Sequence, residues 1–268
     1  MQIFGLSDIG KKRETNEDHF GIVGFSSVAQ TSALRGAKVD DISNLDAGES
    51  GSAVGVAAVA DGMGGHKAGE VASGETIKLI CDELQPYIGK DLTAQNIEVL
   101  MVSAIKNANS LIRKMASEVP TQAGMGTTIV IAYVTEDTAY IANVGDSRAY
   151  IVNDAITQIT RDHSLVEDLI DDGTITRDAA KTHPRKHVIT RAIGTDDNIL
   201  ADIFEYKYQA GRDTLILCSD GLTEMLDDNE IFEIVSNCDD IKVGIENLVN
   251  KANELGGVDN ITVVGLKF

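Results

Sequence analysis

Six acidic residues lie far apart in the chain but in one kind of setting. In AAVADGMGGHKAGEVASGE an apolar run stops at Asp61, glycines follow, and a helix opens. NEDHF carries Glu17 and Asp18, ANVGDSRAY Asp146, LILCSDGL Asp220 and GGVDNITVV Asp259. Each stands where a run of apolar, β-type residues begins or ends, so a sheet that gathered those ends would concentrate carboxylates in one cleft. Like charges that close are tolerable only around cations. Scattered aspartates with little His or Cys suit Mg²⁺ or Mn²⁺, which take a few carboxylates, a carbonyl and several waters, and they disfavour structural zinc. Two such ions can share a carboxylate, deprotonate a water and clamp a phosphoryl oxygen. A phosphate dianion also favours a planar, always charged, two-pronged donor, and Arg13, four residues before Glu17, is the candidate.

Each element has a plainer explanation. Asp-Gly is a favoured turn pair, and Asp172-Gly173 is read as only that. Asp61-Gly62 and Asp220-Gly221 differ because both follow apolar strands, and a glycine lets its carbonyl approach an ion. Asp162, His163 and Ser164 have catalytic residue types, yet Ser164 with Glu167 makes a capping box before Leu165, which favours a structural role. His66 sits at the entry to a helix, where it is a cap neighbour or a proton donor. No Cys sits in a phosphate-loop setting that would suggest a covalent route.

The elements that must position these residues are legible as periodic runs. Strand patterns occupy about 2–8, 18–25, 54–60, 126–134, 137–144, 147–152, 213–218 and 261–267, mostly joined by short polar turns that favour antiparallel pairing. Apolar residues from Ile97 to Met115 follow the helical period behind an N-cap at Thr93. A second helix is expected over about 68–87, and another from Ile241 to Leu255, ended by Gly256-Gly257. Strands, a helical pair, more strands and a late helix imply sheets covered by helices, not a βαβ alternation. Two segments stand outside this scaffold. Residues 26–53 form a long polar excursion, and 164–195 carry Arg177, Lys181, Arg185, Lys186 and Arg191 against one acid after Gly173, Asp178. That basic island is either a solvated loop or a substrate-facing one.

At 268 residues without a linker-like break, the chain is expected to form a single domain. Its 42 acidic against 23 basic residues, a net charge of −19, exclude nucleic acid as the main partner, while bound cations would still let an acidic cleft accept phosphate. No apolar stretch is long enough for a membrane span, and MQIFGLSDIG reads as a first strand with no signal-peptide pattern. Cys81, Cys218 and Cys238 fit buried thiols of a reducing compartment, so a cytoplasmic location is expected.

RETNED at 13–18, VADGMGGHKAGEVAS at 59–73, GMGTT at 124–128, NVGDSRAY at 143–150, DHSL at 162–165, HPRKHVITRAIG at 183–194, CSDGL at 218–222 and DNIT at 259–262 resemble, in order, the motifs of the metal-dependent protein phosphatases of the PPM (PP2C) type in their bacterial form. The resemblance implies an α+β fold, a four-layer αββα sandwich of two central antiparallel sheets flanked by helix pairs. It implies a binuclear Mn²⁺ or Mg²⁺ centre bridged by Asp61, with Asp220 and Asp259 on the first metal, Glu17 and the Gly62 carbonyl on the second, and Asp18 as a supporting acid. A third metal would use Asp146 with Asp220. Arg13 would grip the phosphate, and 164–195 would be a flap beside the cleft. Many eukaryotic relatives place a His where this chain has Met63.

The function expected is hydrolysis of phosphoserine and phosphothreonine in proteins by a metal-activated water without a phosphoenzyme. The partners expected are phosphorylated proteins, among them a Ser/Thr protein kinase and its substrates, with the enzyme a monomer. Two rivals are a silent binding module, which would lack the metal aspartates, and a hydrolase of small phosphate esters.

Overall fold

The structure, a computed structural model, describes residues 1–25, 30–35, 55–64 and 67–268. The first sheet contains β1 (Gln2–Asp8), β3 (Gln30–Arg35), β8 (Arg148–Val152), β9 (Ile156–Gln158), β11 (Thr214–Cys218) and β12 (Ile261–Lys267), in the order β3-β1-β12-β11-β8-β9. The second contains β2 (Asp18–Gly24), β4 (Gly55–Met63), β6 (Ile129–Val134), β7 (Thr138–Val144) and β10 (Asp202–Lys207), in the order β10-β7-β6-β4-β2, with the short β5 (Gly126–Thr127) against the end of β4. All pairs are antiparallel except β1 with β3.

The sheets pack face to face. Val59, Val130, Ile141, Leu217 and Val264 fill the space between them and are excluded from solvent. β6 and β7 are buried along their whole length because their other face is covered as well, which is why they read as continuous apolar runs instead of alternating ones. The cover on the second sheet is α1 (Lys67–Leu84) and α2 (Ala94–Glu118), whose Ile80, Ile97, Met101 and Ile105 pack on Ala58, Ala60 and Ile131. On the first sheet two later helices, at Asp228–Ser236 and Ile241–Glu254, bring Ile231, Ile245 and Leu248 onto Phe4, Leu6, Ile216 and Val263. The result is the expected helix, sheet, sheet, helix layering. Thr93 caps α2 by accepting from Asn96 N–H, and Gly256 and Gly257, both at positive φ, end the last helix.

Several elements went unread in the sequence, among them the following three. β10 is a sheet edge whose side chains are mostly half-exposed, so it lacks a clean apolar alternation, and β9 is only three residues long. The Asp228–Ser236 helix is opened by a capping box, Asp227 with Glu230. The box expected at Ser164 forms only in half. Ser164 accepts from Glu167 N–H, but the Glu167 carboxylate pairs with Arg177 instead of returning to the cap. Of the 26–53 excursion, Gln30–Arg35 is strand β3 and not loop; 26–29 and 36–53 lie outside the described residues.

Leu217→Ala, which opens a hole between the sheets, should cost about 2–5 kcal/mol in urea unfolding, whereas Leu200→Ala, at a side chain 66% exposed, should stay within about 0.5 kcal/mol. Equal losses would contradict this account of the core.

Candidate active site

The strand ends that carry the acids meet at one edge of the sandwich. Asp61 stands opposite Asp18 across β4 and β2. Asp220 opens a short helix, α5 (Asp220–Thr223), which follows α3 (Leu165–Asp171) and α4 (Arg177–Lys181) in chain order and lies directly beyond β11. Asp259 precedes β12, and Asp146 occupies the turn between β7 and β8. Glu17, Asp61, Gly62, Asp146, Asp220, Asp259 and Arg13 line one cleft of about 1070 Å³. Asp18 lies beneath it, 2% exposed, accepting a 2.6 Å hydrogen bond from Ser219 Oγ.

The local structure holds these positions tightly. Asp61 N–H donates to Thr128 Oγ1 at 3.0 Å, while Thr128 N–H and Thr127 Oγ1 donate to the Asp61 carbonyl at 2.9 and 2.8 Å. Asn260 accepts from Glu17 N–H at 2.8 Å and donates to the carbonyls of Ile9 and Thr15, so one buried amide fixes the segment bearing Arg13 and Glu17. A Cβ on Gly62 would fall 2.1 Å from the Gly69 carbonyl, and one on Gly69 would fall 2.2 Å from Glu17 Oε2. Only glycines allow that approach.

The electrostatics are those of crowded carboxyls. Burial, and then Asp18, Asp220, Asp146 and Asp259, hold the Asp61 carboxyl well above the ordinary carboxylate range. Burial together with Asp220 and Asp162 does the same to Asp146. Asp18 is pushed up to about 7, mainly by burial, and Asp220 to about 6 by burial, Asp259 and Glu224, against a hydrogen bond with Asp61 that favours its charge. Oδ1 of Asp18 and of Asp220 are buried with no hydrogen-bond partner. Among the described residues no three His, Cys, Asp or Glu side chains are grouped so as to hold an ion by themselves.

Arg13 reaches Asp259 at 2.5 Å and is half exposed at the cleft rim. Asp162 is away from the cleft and bound by Arg148 through both carboxylate oxygens, at 2.9 and 2.7 Å, which bears out the structural reading of that residue. His66 lies outside the described residues. The basic island is largely neutralised by acids remote in sequence: Arg177 by Glu167, Lys186 by Glu224 and Arg191 by Asp202, with Lys181 near Asp178. Lys186, His187 and Ile189 nevertheless reach the cleft wall, which Glu224, Met225 and Val258 also line. Of the residues that sequence reasoning missed, Thr128 and Asn260 stood inside the GMGTT and DNIT motifs; Lys12, Glu224 and Met225 had no local signal.

The Protein phosphatase 2C family profile matches residues 23–168, more than half of the chain. The chain belongs to the protein phosphatase 2C family. Serine/threonine phosphatase stp of Listeria innocua is 42% identical over 207 residues, 77% of this chain and 81% of that protein. The solved serine/threonine phosphatase of S. agalactiae superposes with a TM-score of 0.83 at 31% identity, covering 99% of this chain and 98% of the other. The catalytic domain of serine threonine protein phosphatase PstP, solved with 2 manganese ions, matches with a TM-score of 0.76 at 30% identity, covering 98% and 96%. The protein is therefore a serine/threonine protein phosphatase of a metal-dependent family, and no helix among its described residues is long and apolar enough to cross a membrane.

A carboxyl whose folded pKa is raised stabilises the fold fully below its unfolded pKa and loses that contribution as pH rises through the folded value. The cation-free phosphatase should therefore lose stability as pH climbs from the ordinary 3.8 through about 6 to 7. Asp61→Asn should raise the melting temperature of chelator-treated protein near neutral pH, by removing a carboxyl that folding must hold protonated or bury as a charge, and abolish the further rise on adding Mn²⁺. A lower melting temperature without cation would show that Asp61 is not under the strain described.

Proposed function

We propose that the phosphatase hydrolyses phosphoserine and phosphothreonine in proteins at a centre of two divalent cations, Mn²⁺ or Mg²⁺, with a weaker third. The observation that carries this reading is the set of buried, mutually repelling carboxyls at one cleft, two of them with an oxygen lacking any partner. Asp61 would stand between the first two ions. Asp220 and Asp259 would complete one shell, and Glu17 with the Gly62 carbonyl the other, backed by Asp18. Asp146 and Asp220 would hold the third. When bound, such ions supply Lewis-acid activation of water and neutralise charge on the phosphoryl group.

The remaining work falls to the chain's own residues. Arg13 presents a fork that fits a carboxylate or a phosphate equally well, so its pair with Asp259 keeps it at the rim until substrate offers two oxygens. Thr128 and Asn260 hold the backbone of Asp61 and Glu17 in place. Segment 164–195 acts as the flap, with Lys186, His187 and Ile189 facing the residues that flank the phosphate. The whole of 1–268 serves as one catalytic domain. Substrates are phosphorylated cytoplasmic proteins, including a Ser/Thr kinase and its targets, and the enzyme works as a monomer. The names of the related phosphatases support protein substrates; the kinase, the location and the oligomeric state rest on family resemblance and composition.

The test is turnover of a phosphothreonine peptide with Mn²⁺ and with chelator. Activity should vanish with chelator and fall at least about 100-fold in Asp220→Asn, since loss of a direct ligand exceeds the effect of losing an outer partner. Retained turnover in that variant at saturating Mn²⁺ would exclude the ligand assignment. Arg13→Lys should raise KM about tenfold with a smaller change in kcat, because a point charge makes one contact where the fork makes two. An unchanged KM would return Arg13 to a structural ion pair. Because Arg177 and Lys181 are paired within their own segment, Lys186→Ala should reduce kcat/KM for an acidic peptide more than Arg177→Ala does. The reverse order would remove Lys186 from the substrate path.

A further inference from the structure

His163 is fully buried and does not touch the cleft, yet it joins two parts of the molecule that the reaction needs. On one side it grips the turn that carries Asp146. Gly145 N–H donates to His163 Nδ1 at 3.0 Å, and His163 N–H donates to the Gly145 carbonyl at 2.9 Å. Gly145 has φ of +112°, and a Cβ there would strike Thr128 at 2.6 Å, so this turn is pressed onto the residue that brackets Asp61. On the other side His163 holds the 164–195 segment. Its carbonyl accepts from Thr190 N–H at 2.7 Å, its Nε2 lies 3.1 Å from Asp202 Oδ2, and Arg191 Nη1 donates to Asp202 Oδ1 at 2.9 Å.

This arrangement selects one state of the ring. A backbone N–H can only donate, so Nδ1 must carry a lone pair, and the proton of the neutral imidazole is on Nε2, aimed at Asp202. Burial keeps the ring neutral near pH 7 by lowering its pKa. Arg191 Nη1 also lies 3.1 Å from Nε2, but two N–H groups cannot bond each other, so Arg191 and His163 both donate to Asp202, one to each oxygen, and the carboxylate closes the joint.

We propose that His163, as the Nε2-protonated imidazole, is a positioning residue that sets the Asp146 turn and links it to the flap through Asp202 and Arg191. This rests on the reading of Asp146 as a cation ligand.

Two substitutions split the joint. In His163→Asn the amide oxygen can replace Nδ1 as acceptor for Gly145, while the contact with Asp202 is lost; in His163→Gln the amide nitrogen can replace Nε2 toward Asp202, while Gly145 N–H loses its acceptor. Calorimetric Mn²⁺ titration and phosphothreonine-peptide kinetics are measured for both, with Asp146→Ala in parallel, and the ring is read by ¹⁵N-histidine NMR of the intact wild-type protein. His163→Gln should weaken the weakest Mn²⁺ site about tenfold and lower kcat, leaving the two tight sites. His163→Asn should keep that site and raise KM for the peptide. A merely structural histidine would lower the melting temperature in both variants without this split, and equal or absent effects on the weak site overturn the proposal. If Asp146→Ala also leaves the weak site intact, the Asp146 assignment has failed; if it alone loses the site, the joint has. A wild-type ring protonated on Nδ1, or on both nitrogens, at pH 7 overturns the proposal whatever the cations do.

Discussion

Mutual repulsion among buried carboxyls is the constraint on which the site depends. Asp18 is buried and Asp61, Asp146 and Asp220 are half-buried, all within reach of one another's fields, and each has its pKa raised chiefly by loss of water around the carboxyl. An apolar filling would be cheaper for the fold, since buried charges without partners cost several kcal/mol each. The apolar mass that holds the sandwich lies between the sheets and under the two helix layers.

The scaffold in turn explains how residues so distant in sequence meet. Antiparallel strands from both sheets begin or end at the same edge, so residues at or next to the ends of β2, β4, β7, β11 and β12 are brought together by register. Fine placement is then set by a few polar residues with every arm engaged. Asn260 spans β12 and the segment before β2, and Thr128 holds Asp61 while its hydroxyl also meets Ser147 Oγ beside Asp146 at 2.7 Å. Glycines at 62 and 69 remove the side chains that would keep Glu17 out.

Much of this was legible from the chain. Asp61, Asp146, Asp220 and Asp259 could be singled out because an apolar run marks a strand end, and the acids follow those ends. The long helices carried the helical period and a recognisable cap at Thr93. Less visible was whatever depends on partners remote in sequence. Counting charges between Gly173 and Arg191 showed an unbalanced basic island, whereas Glu167, Glu224 and Asp202 balance most of it in space. β10 escaped because an edge strand need not alternate, and β3 because its six residues stand within a polar segment and pair in parallel with β1. Asp162 and His163 shared the residue types of a catalytic pair, and only the bond to Arg148 and the grip on Gly145 separate their roles.

The central claim is that the cleft holds protonated carboxyls whose protons a cation must displace. Calorimetric titration of Mn²⁺ into the chelator-treated phosphatase, repeated in buffers of different ionisation enthalpy near pH 6, counts the protons released per ion bound. Release of protons on filling the tight sites, declining as pH rises above about 7, is the expected result. Tight binding with no proton release at pH 6 would mean that the carboxyls are already ionised and accommodated without cations, and the account of the site would be wrong.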